Sequence, residues 1–206
     1  MENLLVTKQI DLAILSNVCF NFIRQTFELI LIEPQMIKAF PETEKFGIGA
    51  MAIRRPEIWQ KFLELANEVM HIESGLSQLE RELVGAYVSM KFGCDFCHLG
   101  HLDTAEELGG SDVKALLTDP SAEMKPLFDF ADRVVSNQVT DAEIQQVQAA
   151  GYSEKAIEDV IFVASLFGFA NRMVTGFGID YVEQRDRRSS KMLAKGYTQS
   201  KLIDRR

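Results

Sequence analysis

The sequence predicts an all-α protein, and three observations carry that prediction. Apolar residues recur at intervals of three and four rather than in alternation, capping-box patterns mark several helix starts, and β-branched runs bounded by hairpin turns are absent. With 206 residues, 47% hydrophobic and 25% charged, the chain can bury one sizeable core, and no low-complexity tract or flexible linker divides it. A single compact domain over residues 1–206 is the simplest organisation.

The first element is an expected helix over residues 7–33. Its apolar stretch is interrupted by Asp11, Asn17, Asn21, Arg24, Gln25 and Glu28 at helical intervals, a density of polar groups that a lipid-facing span does not tolerate. It reads as amphipathic and buried on one side, with Cys19 as a small apolar core residue. Pro34 and Pro41 punctuate the connection that follows, and Arg55-Pro56-Glu57 starts a helix with proline in its first turn, running to about residue 70. His71 lies near that helix end as a surface or cap residue.

Ser77-Gln78-Leu79-Glu80 matches a capping box, so a helix starts at Ser77. Its apolar stripe is Leu79, Leu83, Ala86 and Met90, and Glu82 falls on the same side, which predicts a partly buried carboxylate. Phe92-Gly93 breaks this helix, and a second begins near Cys94 and runs to Leu108, stopped by Gly109-Gly110. The two form a tight helical hairpin. Further starts are Thr140-Asp141-Ala142-Glu143 and Ser153, with Gly151 ending the helix between them. Residues 157–170 are apolar nearly all round, which predicts a central buried helix, with Phe167, Phe169 and Phe177 as core.

The formal charge of −8 argues against nucleic acid, which demands a basic footprint. No basic start, short apolar core and cleavage site opens the chain, so no membrane partner is expected and a cytoplasmic protein fits. The last 22 residues are different: Arg185, Arg187, Arg188, Lys191, Lys195, Lys201, Arg205 and Arg206 against Asp186 and Asp204 give +6, against −14 for the rest. They make up most of a basic tail, 183–206, which reads as a solvated terminal helix or fraying end, the alternative being docking on an acidic or anionic partner.

The segment Gly93-Cys94-Asp95-Phe96-Cys97-His98-Leu99-Gly100-His101 holds two of the three cysteines and two of the three histidines. Three cysteines make no disulfide framework, and a close Cys-x-x-Cys pair in a reducing compartment is catalytic or metal-binding. On a helix Cys94, Cys97 and His101 share one face, with His98 over Cys94 as a polar neighbour. Thiols at a helix start are acidified by free amides and the aligned peptide dipoles. His101 lies one turn beyond Cys97, about 6 Å along the axis, where it can take a thiol proton directly or through water. Folding back at Phe92-Gly93 brings Glu82 level with His101, which suggests a relay in which Glu82 orients His101 and His101 activates a thiol. Local electrostatics leave the order of the thiols open: Cys94 is nearer the helix start, while the spacing to His101 favours Cys97 as first to attack, with Cys94 closing the disulfide. Zinc is the chemical rival, but four ligands on one helix cannot easily wrap one ion, so no metal is expected.

Taken together, Leu76-Ser77-Gln78-Leu79-Glu80-Arg81-Glu82-Leu83-Val84, Ser89 and Cys94-x-x-Cys97-x-x-x-His101, with twelve residues from Glu82 to Cys94, resemble the alkylhydroperoxidase D-like branch of the carboxymuconolactone decarboxylase superfamily. Arg55-Pro56-Glu57 and Phe167-Gly168-Phe169-Ala170-Asn171-Arg172 look like flanking motifs of its peroxidase-related members, so the resemblance spans about residues 40–182. It implies an all-helical fold, a homo-oligomer (trimer or hexamer), and thiol-dependent reduction of a hydroperoxide or of a partner's disulfide. By the same motif, Glu82, Cys94, Cys97 and His101 are the proton relay and redox pair. A thiol or dithiol serves as electron donor, and no cofactor is needed beyond the Cys94–Cys97 pair. Decarboxylases of the superfamily generally lack the cysteines, which disfavours lactone chemistry. Arg172 is expected to be structural and to find a carboxylate partner on entering a buried region. The functional alternative is a redox-sensing or zinc-stabilised oligomeric interaction protein without turnover.

Overall fold

The computed structural model describes residues 39–199. The helix expected over 7–33, Cys19, Lys201, Arg205 and Arg206 lie outside the described residues. Within them every regular element is helical. Two short helices, α1 (Glu42–Phe46) and α2 (Gly49–Arg54), lead into α3 (Pro56–His71), which has proline in its first turn as expected. Trp59, Phe62, Leu63, Ala66 and Met70 make the buried stripe of α3 at helical spacing.

The capping box at Ser77 is formed: its hydroxyl accepts from the Glu80 amide at 3.3 Å while Glu80 Oε2 accepts from the Ser77 amide at 2.7 Å. Helix α4 (Gln78–Lys91) follows, then α5 (Asp95–Gly109). Gly93 turns the chain between them at φ 66°, a conformation that disfavours side chains, and Gly110 stops α5 at φ 85°. A 3₁₀ turn (Ser111–Lys114), α6 (Ala115–Thr118), α7 (Met124–Ser136), α8 (Asp141–Ala149) and α9 (Glu154–Gly176) complete the core. The predicted caps Thr140 and Ser153 both accept from helix-start amides. Helix α4 packs against α5, α9 and α7, and α9 also touches α3, α5 and α8.

Position along an element was predicted better than facing. Met90, placed on the buried stripe of α4, is 44% exposed, because α4 is covered on several sides and buries Arg81 to Ala86, Val88 and Ser89 instead. Helix α9 is not buried all round: Ile161, Phe162 and Phe169 are exposed, the last by 53%, so Phe169 is not core, whereas Phe167 is. An uninterrupted apolar run does not reveal which face its neighbours leave open. Arg172 is also exposed and has no carboxylate partner among the described residues; it donates to the Gly168 carbonyl and lies over the Phe92 ring at 4.7 Å. Its neighbour Asn171 is the buried one, accepting from the Ser89 hydroxyl at 3.1 Å.

The basic tail is not a fraying end as far as it is described. Helix α10 (Glu183–Leu193) packs on α5 and leads to a 3₁₀ turn, Tyr197–Gln199, that packs on α3. Arg187 pairs with Glu106 at 2.7 Å and Lys191 with Glu107 at 3.6 Å, so the basic face meets this chain's own acidic helix. Exposed pairs of this kind contribute little each. Ser190 supplies a buried polar contact, donating to the Gly100 carbonyl at 3.2 Å.

Candidate active site

The hairpin of α4 and α5 sets the site. Gly85 lets the helices close: a Cβ there would stand 3.2 Å from the His101 ring. That approach brings Glu82 Oε2 within 2.6 Å of His101 Nδ1. An ionised carboxylate only accepts, so Nδ1 carries the proton and Nε2 is left as the nitrogen that exchanges protons. The pair is buried, Glu82 at 0% and His101 at 6% exposure, with the Phe167 ring edge-on to the imidazole at 4.0 Å between centroids. His98 stands apart, its Nδ1 2.9 Å from the Ala86 carbonyl across the hairpin.

Cys94 caps α5, and Cys97 lies one turn inside it; both are buried free thiols. The Cys97 thiol donates to Cys94. With the Cys97 amide, the Thr175 hydroxyl and the charge of a protonated His101, this outweighs burial and lowers Cys94 from 9.0 to about 7. Cys97 is pushed the other way, far above 9.0, first by the hydrogen bond to Cys94, then by burial and the Cys94 charge. Cys94 is thus the more acidic thiol of the pair, while the spacing to His101 favours Cys97 as first to attack. The hydrogen bond that Cys97 donates to Cys94 is the largest cause of both shifts. No hydrogen bond joins His101 to either sulfur among the described residues.

A cavity of about 100 Å³ opens beside these groups. Cys97 and His101 line it, together with Trp59, Phe62, Phe96, Phe167 and Leu193, and Cys94 does not. Trp59 is buried and its indole N–H has no hydrogen-bond partner among the described residues. Two contributors escaped sequence reasoning, Trp59 and Tyr197. The Tyr197 hydroxyl donates to Glu82 Oε1 at 3.3 Å from 115 residues away. No local pattern announces such a contact. Among the described residues no group of three or more His, Cys, Asp or Glu is placed to hold a metal ion, and no helix is long and apolar enough to cross a membrane.

No protein-family model matches the chain, and no curated protein matches it. Solved structures do. An uncharacterized peroxidase-related protein from Silicibacter sp. TM1040 is 22% identical, with TM-score 0.61 over 76% of this chain and 89% of that one. An uncharacterized peroxidase-related protein from Ralstonia eutropha JMP134, described as an alkylhydroperoxidase AhpD core, is 20% identical, with TM-score 0.60 over 77% of this chain and 90% of that one. A protein of unknown function from Agrobacterium tumefaciens is 20% identical, with TM-score 0.57 over 64% of this chain and 94% of that one. These likenesses define the class of fold of the described residues: all-helical, of the AhpD-core type.

Proposed function

We propose that the chain is a thiol-dependent peroxidase or disulfide oxidoreductase that works through the Cys94–Cys97 pair. The observation that carries the reading is the buried Glu82–His101 hydrogen bond, with His101 and Cys97 lining one apolar cavity and the free thiol of Cys94 behind Cys97. Cys97 is the attacking sulfur because it lines the cavity; its proton shifts to the Cys94 thiolate as attack begins. The Cys97 sulfur takes the distal oxygen of a hydroperoxide: an S–O bond forms, the O–O bond breaks, and two electrons pass to the peroxide. The departing alkoxide takes a proton from the His101 imidazolium and leaves as an alcohol. Cys94 then attacks the Cys97 sulfenic acid, water departs, and the disulfide forms. An external thiol or dithiol returns two electrons by exchange. The unpaired Trp59 N–H is available to a substrate oxygen.

Single cysteine variants test both the activity and the order. Cys97→Ser is expected to consume no organic hydroperoxide. Cys94→Ser should complete one turnover and stop with a sulfenic acid on Cys97, trapped by dimedone and read by mass spectrometry. A dimedone adduct on Cys94 in Cys97→Ser would reverse the order, and undiminished turnover in both variants would sink the peroxidase reading.

A further inference from the structure

Glu82 is fully buried, and each of its two carboxylate oxygens has its own donor: His101 Nδ1 on Oε2 at 2.6 Å and the Tyr197 hydroxyl on Oε1 at 3.3 Å. A carboxylate held by one donor can turn about its terminal bond, whereas one held at both oxygens cannot without breaking a contact. Tyr197 is itself fixed. Its amide donates to Asn67 Oδ1 at 3.0 Å, and its ring meets His71 edge-on at 5.6 Å, both partners belonging to α3. Burial first, then the Glu82 charge, raises the Tyr197 hydroxyl well above its usual 10.0, so it remains a donor over the working pH range. The same C-terminal segment brings Leu193 to the cavity wall.

We propose that Tyr197 is a positioning residue of the proton relay: by donating to Glu82 Oε1 it holds the carboxylate so that Oε2 stays on His101, which makes the C-terminal turn part of the site. The inference rests on reading the cysteines as a reacting dithiol. Oxygen-to-oxygen bonds in proteins centre near 2.7–2.8 Å, so 3.3 Å is a long contact, of the kind that tightens when the partner's charge grows. Among the described residues, the titratable groups about Glu82 and His101 are Tyr197 on the C-terminal turn, Cys97 on α5 with Cys94 at its cap, and Asp186 of α10, which lines the same cavity; from α9 comes the uncharged Phe167 ring, and from α3 His71 acts through Tyr197.

The test is a titration of thiol alkylation rate by iodoacetamide against pH, on reduced wild type, Tyr197→Phe, Glu82→Gln and the double variant. Phenylalanine keeps the ring and removes the hydroxyl alone. With that donor gone the carboxylate can turn off His101 Nδ1, which withdraws support from the imidazolium beside the sulfurs and so from the thiolate. The Tyr197→Phe midpoint is expected to rise by about half a pH unit, roughly threefold in the ionisation constant. In the Glu82→Gln background the same substitution should move nothing. Superimposable profiles for wild type and Tyr197→Phe, or an equal displacement with Glu82→Gln present, would overturn the proposal. A lowered melting temperature with an unmoved midpoint would assign Tyr197 to packing alone and overturn it equally. Should Tyr197→Phe not fold, Asn67→Ala, which releases the Tyr197 amide, is judged by the same criteria. Alkylation requires no turnover, so a wild type inert to hydroperoxides would defeat the peroxidase reading and leave this test intact.

Discussion

Cys94 and Cys97 carry opposite ionisation shifts although they lie three residues apart, and the difference makes stability depend on pH in a definite way. Cys94 is lowered from 9.0 to about 7, so its contribution is fully present above 9.0 and is lost as pH falls through about 7. Cys97 is raised, and its preference for the neutral form costs stability only once pH climbs past 9.0, where the unfolded thiol ionises. The urea midpoint of the reduced protein is therefore expected to rise between about pH 7 and 9 and to turn down above, the rise amounting to about 1–2 kcal/mol. Cys94→Ser should flatten the rising limb. A midpoint that falls across this range in the reduced wild type would contradict the assignment of the charge to Cys94. The asymmetry begins with the hydrogen bond between the thiols, which Cys97 donates and Cys94 accepts, and the Cys97 amide and the Thr175 hydroxyl reinforce it.

The hairpin of α4 and α5 is the element that converts sequence spacing into chemistry. Its closest approach is at Gly85, and a methyl group there would press on an imidazole already backed by Phe167 at 4.0 Å. Alanine gains up to about 1 kcal/mol of helix propensity over glycine, while overpacking costs about 1–3 kcal/mol, so Gly85→Ala should lose little stability. Activity should suffer more, because the 2.6 Å Glu82–His101 bond must shift by a few tenths of an ångström; about a tenfold fall in hydroperoxide turnover is expected, with the fold intact by near-UV circular dichroism. Full activity in Gly85→Ala would show that the ring has room to move. This hairpin was also the most legible part of the sequence. The Ser77 capping box, the Phe92-Gly93 break and the helical period together place Glu82 beside His101, because all three are local signals. The facing of Met90, Phe169 and Arg172 was not legible, since it depends on which neighbours cover each helix, and Tyr197 reaches Glu82 through a long-range contact.

At the scale of the whole core, one buried ion pair ties together elements that share no local pattern. Arg81, 1% exposed, donates through Nη2 to Asp159 Oδ2 at 3.1 Å and through Nη1 to the Ile72 carbonyl at 2.5 Å, joining the start of α4 to α9 and to the residue that ends α3. Asp159 Oδ2 also accepts from the Leu76 amide at 2.8 Å, in the loop that leads into the hairpin. Gly75 in that loop sits so tightly on α9 that a Cβ would stand 2.0 Å from the Ala156 nitrogen, so the loop has no room to relax around a damaged pair. Desolvating two charges offsets most of their attraction, and the pair is a poor source of net stability. Breaking it is another matter, because one charge is then left buried without its partner. Arg81→Ala is expected to cost about 3–5 kcal/mol in urea denaturation, whereas Arg81→Met with Asp159→Leu, which removes both charges, should cost markedly less than the two single substitutions added together. Glu82 lies next to Arg81 on α4, so the same loss should reach the site as a change in the dithiol alkylation profile. Additive losses in the cycle would show that Arg81 and Asp159 act separately, and the two groups would then have to be explained by their backbone contacts alone.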